Sequence, residues 1–187
     1  MLLGSHRGKI DLSHNPKLNK MVKDEHSALK ASFERALEFL NAGDHVMAEK
    51  ICRKTIKEVS SSDPNIQVLL AVSLIRQGRS GSAVKRLKHT LRAFPDFPPA
   101  HEELGNALLA QNKPDNAIEA FKKVLQLKPD NAGAMIKLGK IYKQLGRNDE
   151  ANEFYKSALS LEPTKERLVT AAQAFARGEI EKAEKIT

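Results

Sequence analysis

The sequence predicts an all-α fold, a solenoid of stacked antiparallel helix pairs, and three observations carry that prediction. The stretch AIEAFKKVLQLKPDN at 117–131 returns as ANEFYKSALSLEPTK at 151–165, with Ala, an aromatic, two Leu and Pro in the same places. A series of alanines keeps the period: Ala83, Ala117 and Ala151 are 34 residues apart, Ala48 stands 35 before Ala83, and Ala183 stands 32 after Ala151. Five positions before each lies Gly43, Gly78, Asn112, Gly146 or Gly178, residue types that tolerate the left-handed backbone of a tight turn between helices.

Taken in order, residues 1–14 mix Gly, Ser, His and charges without a period, so loose packing or disorder is expected there. A helix start is legible at Asn15-Pro16, and Leu18, Met21 or Val22, Leu29, Phe33, Ala36 and Leu40 keep helical spacing, which predicts a long first helix. The expected organisation is an N-terminal segment over 1–28, then units at about 29–63, 64–97, 98–131 and 132–165 and a partial unit at 166–187. Within the units, helix pairs are expected at roughly 30–60, 64–95, 98–128 and 132–162. In the third unit Leu104, Leu108 and Leu109 precede the turn, while Ala117, Ile118, Phe121, Val124 and Leu125 follow it.

The marker alanines have a mechanical reason, since paired helices approach closely only where no bulky side chain intervenes. Pro64, Pro95, Pro129 and Pro163 punctuate the units, because proline cannot continue a helix interior. Asp63-Pro64 reads equally as an N-cap followed by proline in the first helical turn. At the far end GEIEKAEKI, 178–186, starts another second helix and stops, so a parent chain continuing past Thr187, or an imposed boundary, is expected rather than a natural end.

Composition narrows the function classes. With 41% hydrophobic and 29% charged residues, no Trp and 5% aromatics, the chain reads as globular, with a core of Ala, Leu, Ile and Val. The N-terminus lacks the apolar run of a signal peptide and no segment approaches membrane-spanning length, so a cytoplasmic protein is expected. The single Cys52 excludes an internal disulfide and reads as a small buried hydrophobe. The net charge of +8 is spread among acids, and its densest group, KRLKHTLR at 85–92, has helical spacing. It reads as a solvated helix surface; nucleic acid is not expected as a partner, since basic charge without stacking aromatics is thin support.

Catalytic patterns fail in turn. QGRSGSA, 77–83, lacks the strand and Lys-Ser/Thr of a phosphate loop. HEELG, 101–105, lacks the second His of a zinc motif, which leaves His101 as a helix-face residue. His45 and Cys52 lie seven apart with no third group to orient them. The pairs Glu102-Glu103 and Asp149-Glu150 diverge on a helix and read as solvated surface. No catalytic residue, metal site or cofactor is expected.

Leu104-Gly105, Leu108, Ala117, Phe121, Leu125 and Pro129 together resemble the tetratricopeptide repeat, as do Leu138-Gly139, Tyr142, Gly146, Ala151, Tyr155, Ala158, Leu159 and Pro163. The match is weaker over 29–63, where Cys52 and Thr55 hold positions the family usually gives to an aromatic and Ala. The resemblance implies a right-handed superhelix whose inner wall is made by the first helix of each pair, and a protein-interaction function without enzyme activity.

Aligned by repeat position, the wall is expected to carry Asn65, Val68, Val72, Ile75 and Arg76, then Glu102, Asn106 and Leu109, then Ile136, Lys140 and Lys143. It grades from an apolar stripe to ammonium groups, which suits a protein or peptide segment with apolar anchors at one end and acidic residues at the other. Cover of the stripe by the chain's own N-terminal segment or a second copy is the competing expectation. The Lys and Asn clamp that some family members close on a free carboxylate tail is broken: Asn106 is present, but Glu102 stands where Lys is wanted, with Val68 and Val72 in the preceding unit. The alternative function is the N-terminal repeat region of a larger bacterial enzyme, such as a repeat-containing sulfotransferase or glycosyltransferase.

Overall fold

The computed structural model describes residues 16–59 and 63–161, and every regular element in them is a helix. These are α1 (Pro16–Asn41), α2 (His45–Glu58), α3 (Pro64–Arg76), α4 (Ser80–Ala93), α5 (Pro98–Leu109), α6 (Pro114–Leu127), α7 (Ala132–Gln144) and α8 (Asn148–Leu161). The expectations for 1–14, for Pro163, Gly178 and Ala183, and for the partial unit at 166–187 lie outside the described residues.

Local chemistry sets the ends. Asp44 opens α2 by accepting from Met47 N at 2.9 Å, Asp63 opens α3 by accepting from Asn65 N and Ile66 N at 2.9 and 3.0 Å, and Asn131 opens α7 by accepting from Ala134 N at 2.8 Å. Pro64, Pro98 and Pro114 each sit in a first helical turn, where the missing N–H costs nothing. Gly43, Gly78 and Gly146 turn the chain inside three pairs with φ of 84, 74 and 75°, and Asn112 does so in the remaining pair with φ of 56°.

Each helix packs most extensively on the partner across its turn, α1 on α2, α3 on α4, α5 on α6 and α7 on α8, and each pair then stacks on the next. The marker alanines Ala48, Ala83, Ala117 and Ala151 are all buried. Close approach is visible at Gly105, where an added Cβ would meet Phe121 Cε2 and Cζ at 2.7 Å, and again at Gly139, where it would meet the ring of Tyr155 at Cε1. The core divides into two clusters. One gathers Ala36, Cys52, Ile66, Leu70, Leu74 and Leu87 with Ala100 and Ala107 of α5; the other gathers Phe121, Leu138, Ile141, Tyr142 and Tyr155. Val84 and Leu104 pack against both.

Candidate partner-binding wall

First helices approach one another in succession, α1 meeting α3 and α3 meeting α5, whereas no two second helices come into extended contact. In a curved stack the elements that crowd together lie on the inner side, and α1, α3 and α5 are the helices that do so here, which makes the face of the first helices the candidate wall. Along it Val68, Val72, Ile75, Glu102, Asn106, Leu109, Ile136, Lys140 and Lys143 are half-buried, and Asn65 and Arg76 are exposed. Val68 and Ile75 lean on one core cluster and Leu109 and Ile136 on the other. Val72 belongs to neither. Lys140 and Lys143 are each engaged by another group.

Sequence reasoning missed the first unit's share of the wall. Phe33, Leu37 and Leu40 stand 35 positions before Val68, Val72 and Ile75, the spacing that separates Gly43 from Gly78. Phe33 and Leu40 pack against the same cluster as Val68 and Ile75, and Leu37 stays 37% exposed. The stripe on α3 therefore continues onto α1. At its edge a cavity of about 240 Å3 opens, lined by His26, Leu29, Lys30, Phe33, Asp63, Asn65 and Ile66.

Beyond the stripe the wall becomes polar. Glu103, read from sequence as solvated surface, is half-buried and accepts from Asn106 Nδ2 at 3.1 Å. Burial pushes its carboxyl above the ordinary carboxylate value, and the neighbouring Glu102 pushes the same way; the Asn106 hydrogen bond and the charges of Lys137 and Arg76 oppose them without prevailing. Adjacency in sequence hid this. Glu103 lies one helical step from Glu102, on the side that the neighbouring pairs desolvate.

A second polar junction ties the first pair to the second. Glu49 of α2 accepts from Arg53 Nε at 2.8 Å, from Gln77 Nε2 at 2.8 Å and from Arg79 Nη1 at 2.7 Å. Gln77 Nε2 also reaches the carbonyl of His45 at 3.1 Å. Burial pushes the Glu49 carboxyl up, but the three donors and the charge of Arg79 outweigh it and hold the group below its usual range.

Cys52 and His101, from two of the rejected patterns, sit in packing and bracing positions. Burial pushes the Cys52 thiol up to about 12, so the sulfur stays protonated and unreactive near neutral pH. His101 Nε2 lies 2.7 Å from the Pro95 carbonyl and braces the chain entering α5. No group of three or more His, Cys, Asp or Glu converges as a metal site among the described residues, and no helix in them is long and apolar enough to cross a membrane.

Models of the tetratricopeptide repeat match residues 68–132 and 108–174. PilF of Pseudomonas aeruginosa superposes with a TM-score of 0.72 at 19% identity, covering 87% of this chain and 75% of that one. A thermophilic TPR protein of Thermus thermophilus gives 0.71 at 21% identity, covering 84% and 87%. MamA of Desulfovibrio magneticus gives 0.64 at 20% identity, covering 74% and 77%. At such identities the likeness is one of fold. No curated protein matches the sequence.

Proposed function

The chain belongs to the tetratricopeptide repeat family, and from that premise we propose that it holds a segment of a partner protein along the wall made by its first helices. The observation that carries this reading is the stripe shared by α1 and α3. Leu37 and Val72 belong to neither core cluster, Leu37 being 37% exposed and Val72 half-buried, and they hold the same repeat position, between Phe33 and Leu40 on α1 and between Val68 and Ile75 on α3. Apolar surface of this kind is stabilised by a cover. An amphipathic helical segment supplies one, with apolar anchors laid over α1 and α3.

The polar step made by Arg76, Glu102, Glu103 and Asn106 then offers hydrogen bonds to the segment's backbone and side chains. Lys140 and Lys143 add positive potential at the far end of the wall, which favours acidic residues there and acts more on orientation and association rate than on affinity.

The test is the variant Leu37→Asp with Val72→Asp, which spares Ile75 because that side chain packs on the core. A segment identified from a captured partner and titrated as a peptide should bind about a hundredfold more weakly to the variant, while the helical signal and thermal midpoint change little. A folded variant that binds the peptide as tightly as the parent would move the partner surface off this wall.

A further inference from the structure

The opposite side of the stack carries a different feature. Between α2 and α4, which make no extended contact, lies a cleft of about 360 Å3, lined by Arg53 of α2, Leu74 of α3, and Ser82, Lys85, Arg86 and His89 of α4. Its charge is one-sided. Helix α4 bears Lys85, Arg86, Lys88 and Arg92 and has no Asp or Glu anywhere in Ser80–Ala93. The acid on α2 nearest to Arg53, Glu49, is already bonded by Arg53, Gln77 and Arg79.

The two guanidiniums are braced rather than loose. Arg53 is held through Nε by Glu49, and Arg86 donates through Nη1 to Gln67 Oε1 of α3 at 2.6 Å, which leaves the other N–H groups of each fork unused among the described residues. Arg86 is half-buried, and burial together with repulsion from Arg53 disfavours its charge, with no acid offsetting either. Lys85 and His89 have no ion pair or hydrogen bond among the described residues. Like charges brought together over an apolar floor are a standing cost, and an anion between them would remove it.

We propose that this cleft is a binding site for a phosphate monoester. Forked donors on opposing walls, an ammonium and the Ser82 hydroxyl offer more donors than the two oxygens of a carboxylate can accept, but they match the three terminal oxygens and double charge of a phosphoryl group. The cleft holds that group and a few attached atoms. It is a single recess rather than a track, which favours one phosphoryl group over a nucleic acid strand.

The experiment titrates the full chain with inorganic phosphate and with O-phosphoserine, ionic strength being held constant with sodium chloride. Binding is read by heat and by the rise in thermal midpoint that a native-state ligand produces. Saturable binding is expected, weakened about tenfold in Arg53→Gln and in Lys85→Gln and unchanged in Lys50→Gln, which removes an exposed cation outside the cleft. Tighter binding of phosphoserine identifies an esterified side chain as the source, and equal binding identifies any small phosphate; both support the site. Arg86→Gln removes the strut to Gln67, so the two variants that spare that strut decide the matter. A response no larger than that to added chloride overturns the proposal, as does full affinity in Arg53→Gln and Lys85→Gln. So does preference for a single-stranded oligonucleotide with a salt dependence that requires several phosphates.

Discussion

The ring of Phe121 occupies the space that a Cβ on Gly105 would need, with Cε2 and Cζ only 2.7 Å from that position. The same relationship recurs one pair later between Tyr155 and Gly139. Gly105→Ala therefore sets two effects against each other. Helix propensity gains up to about 1 kcal/mol, whereas forcing apart a ring that is fully buried costs about 1 to 3 kcal/mol. Overpacking should win, lowering the denaturation midpoint. Phe121→Leu creates space on the other side, so the double variant should be more stable than the two single losses added together. A simple sum in the double-mutant cycle would mean that the ring is free to move aside.

Asn112 takes φ of 56° where the other described turns inside helix pairs use glycine. Asn112→Gly should be neutral or slightly stabilising, whereas Asn112→Ala should cost about 1 kcal/mol because a Cβ without a local polar partner is strained in that region. Equal melting of the two variants would contradict the strain.

Much of the fold was legible because the period fixes it. The Gly or Asn of each described turn, the Asp63-Pro64 helix start and the small residue at each marker alanine follow from backbone conformation and close approach, which leave their mark on single positions. The residues of the proposed wall were only in part visible in the sequence. Val68, Val72 and Ile75 came from aligning repeats, but Phe33, Leu37 and Leu40 were obscured because Cys52 and Thr55 blur the first unit. Thr55 meets its burial by donating to the Ile51 carbonyl at 2.9 Å. Glu49, Gln77 and Arg79 meet across about 30 residues of chain, and no local pattern encodes such a meeting.

Glu49 gives the chain an acid sensitivity. Its folded carboxyl lies below the ordinary value, so the stability it contributes is complete above the unfolded value of 4.5 and is lost as pH falls through the lower folded value. Glu49→Gln should cost about 1 to 2 kcal/mol at neutral pH, since its Arg partners are half exposed and screened. The difference from the parent should shrink below pH 4.5. A penalty that stays constant down to strongly acidic pH would show that shape, and not charge, is what Glu49 supplies.

Glu103 has the opposite sign. Its folded carboxyl lies above the unfolded value, so its favourable contribution is present below 4.5 and is lost as pH rises through the folded value. Glu103→Gln keeps an acceptor for Asn106 and removes the desolvated charge, and should raise the thermal midpoint by about 1 to 3 °C at neutral pH with little effect in acid. A lower midpoint at neutral pH would make the attraction of Arg76 and Lys137 the dominant influence.

The division of the core into two clusters, joined through Val84 and Leu104, gives the molecule two separately addressable blocks of free energy. Amide exchange in such a stack is expected to follow two opening reactions instead of one, coupled through Val84, Leu104 and helix α5, which contributes Ala107 to one block and Leu108 to the other. A ligand lying across α3, α5 and α7 would fuse the blocks into one cooperative unit, leaving a thermodynamic trace of occupancy even where no helix moves.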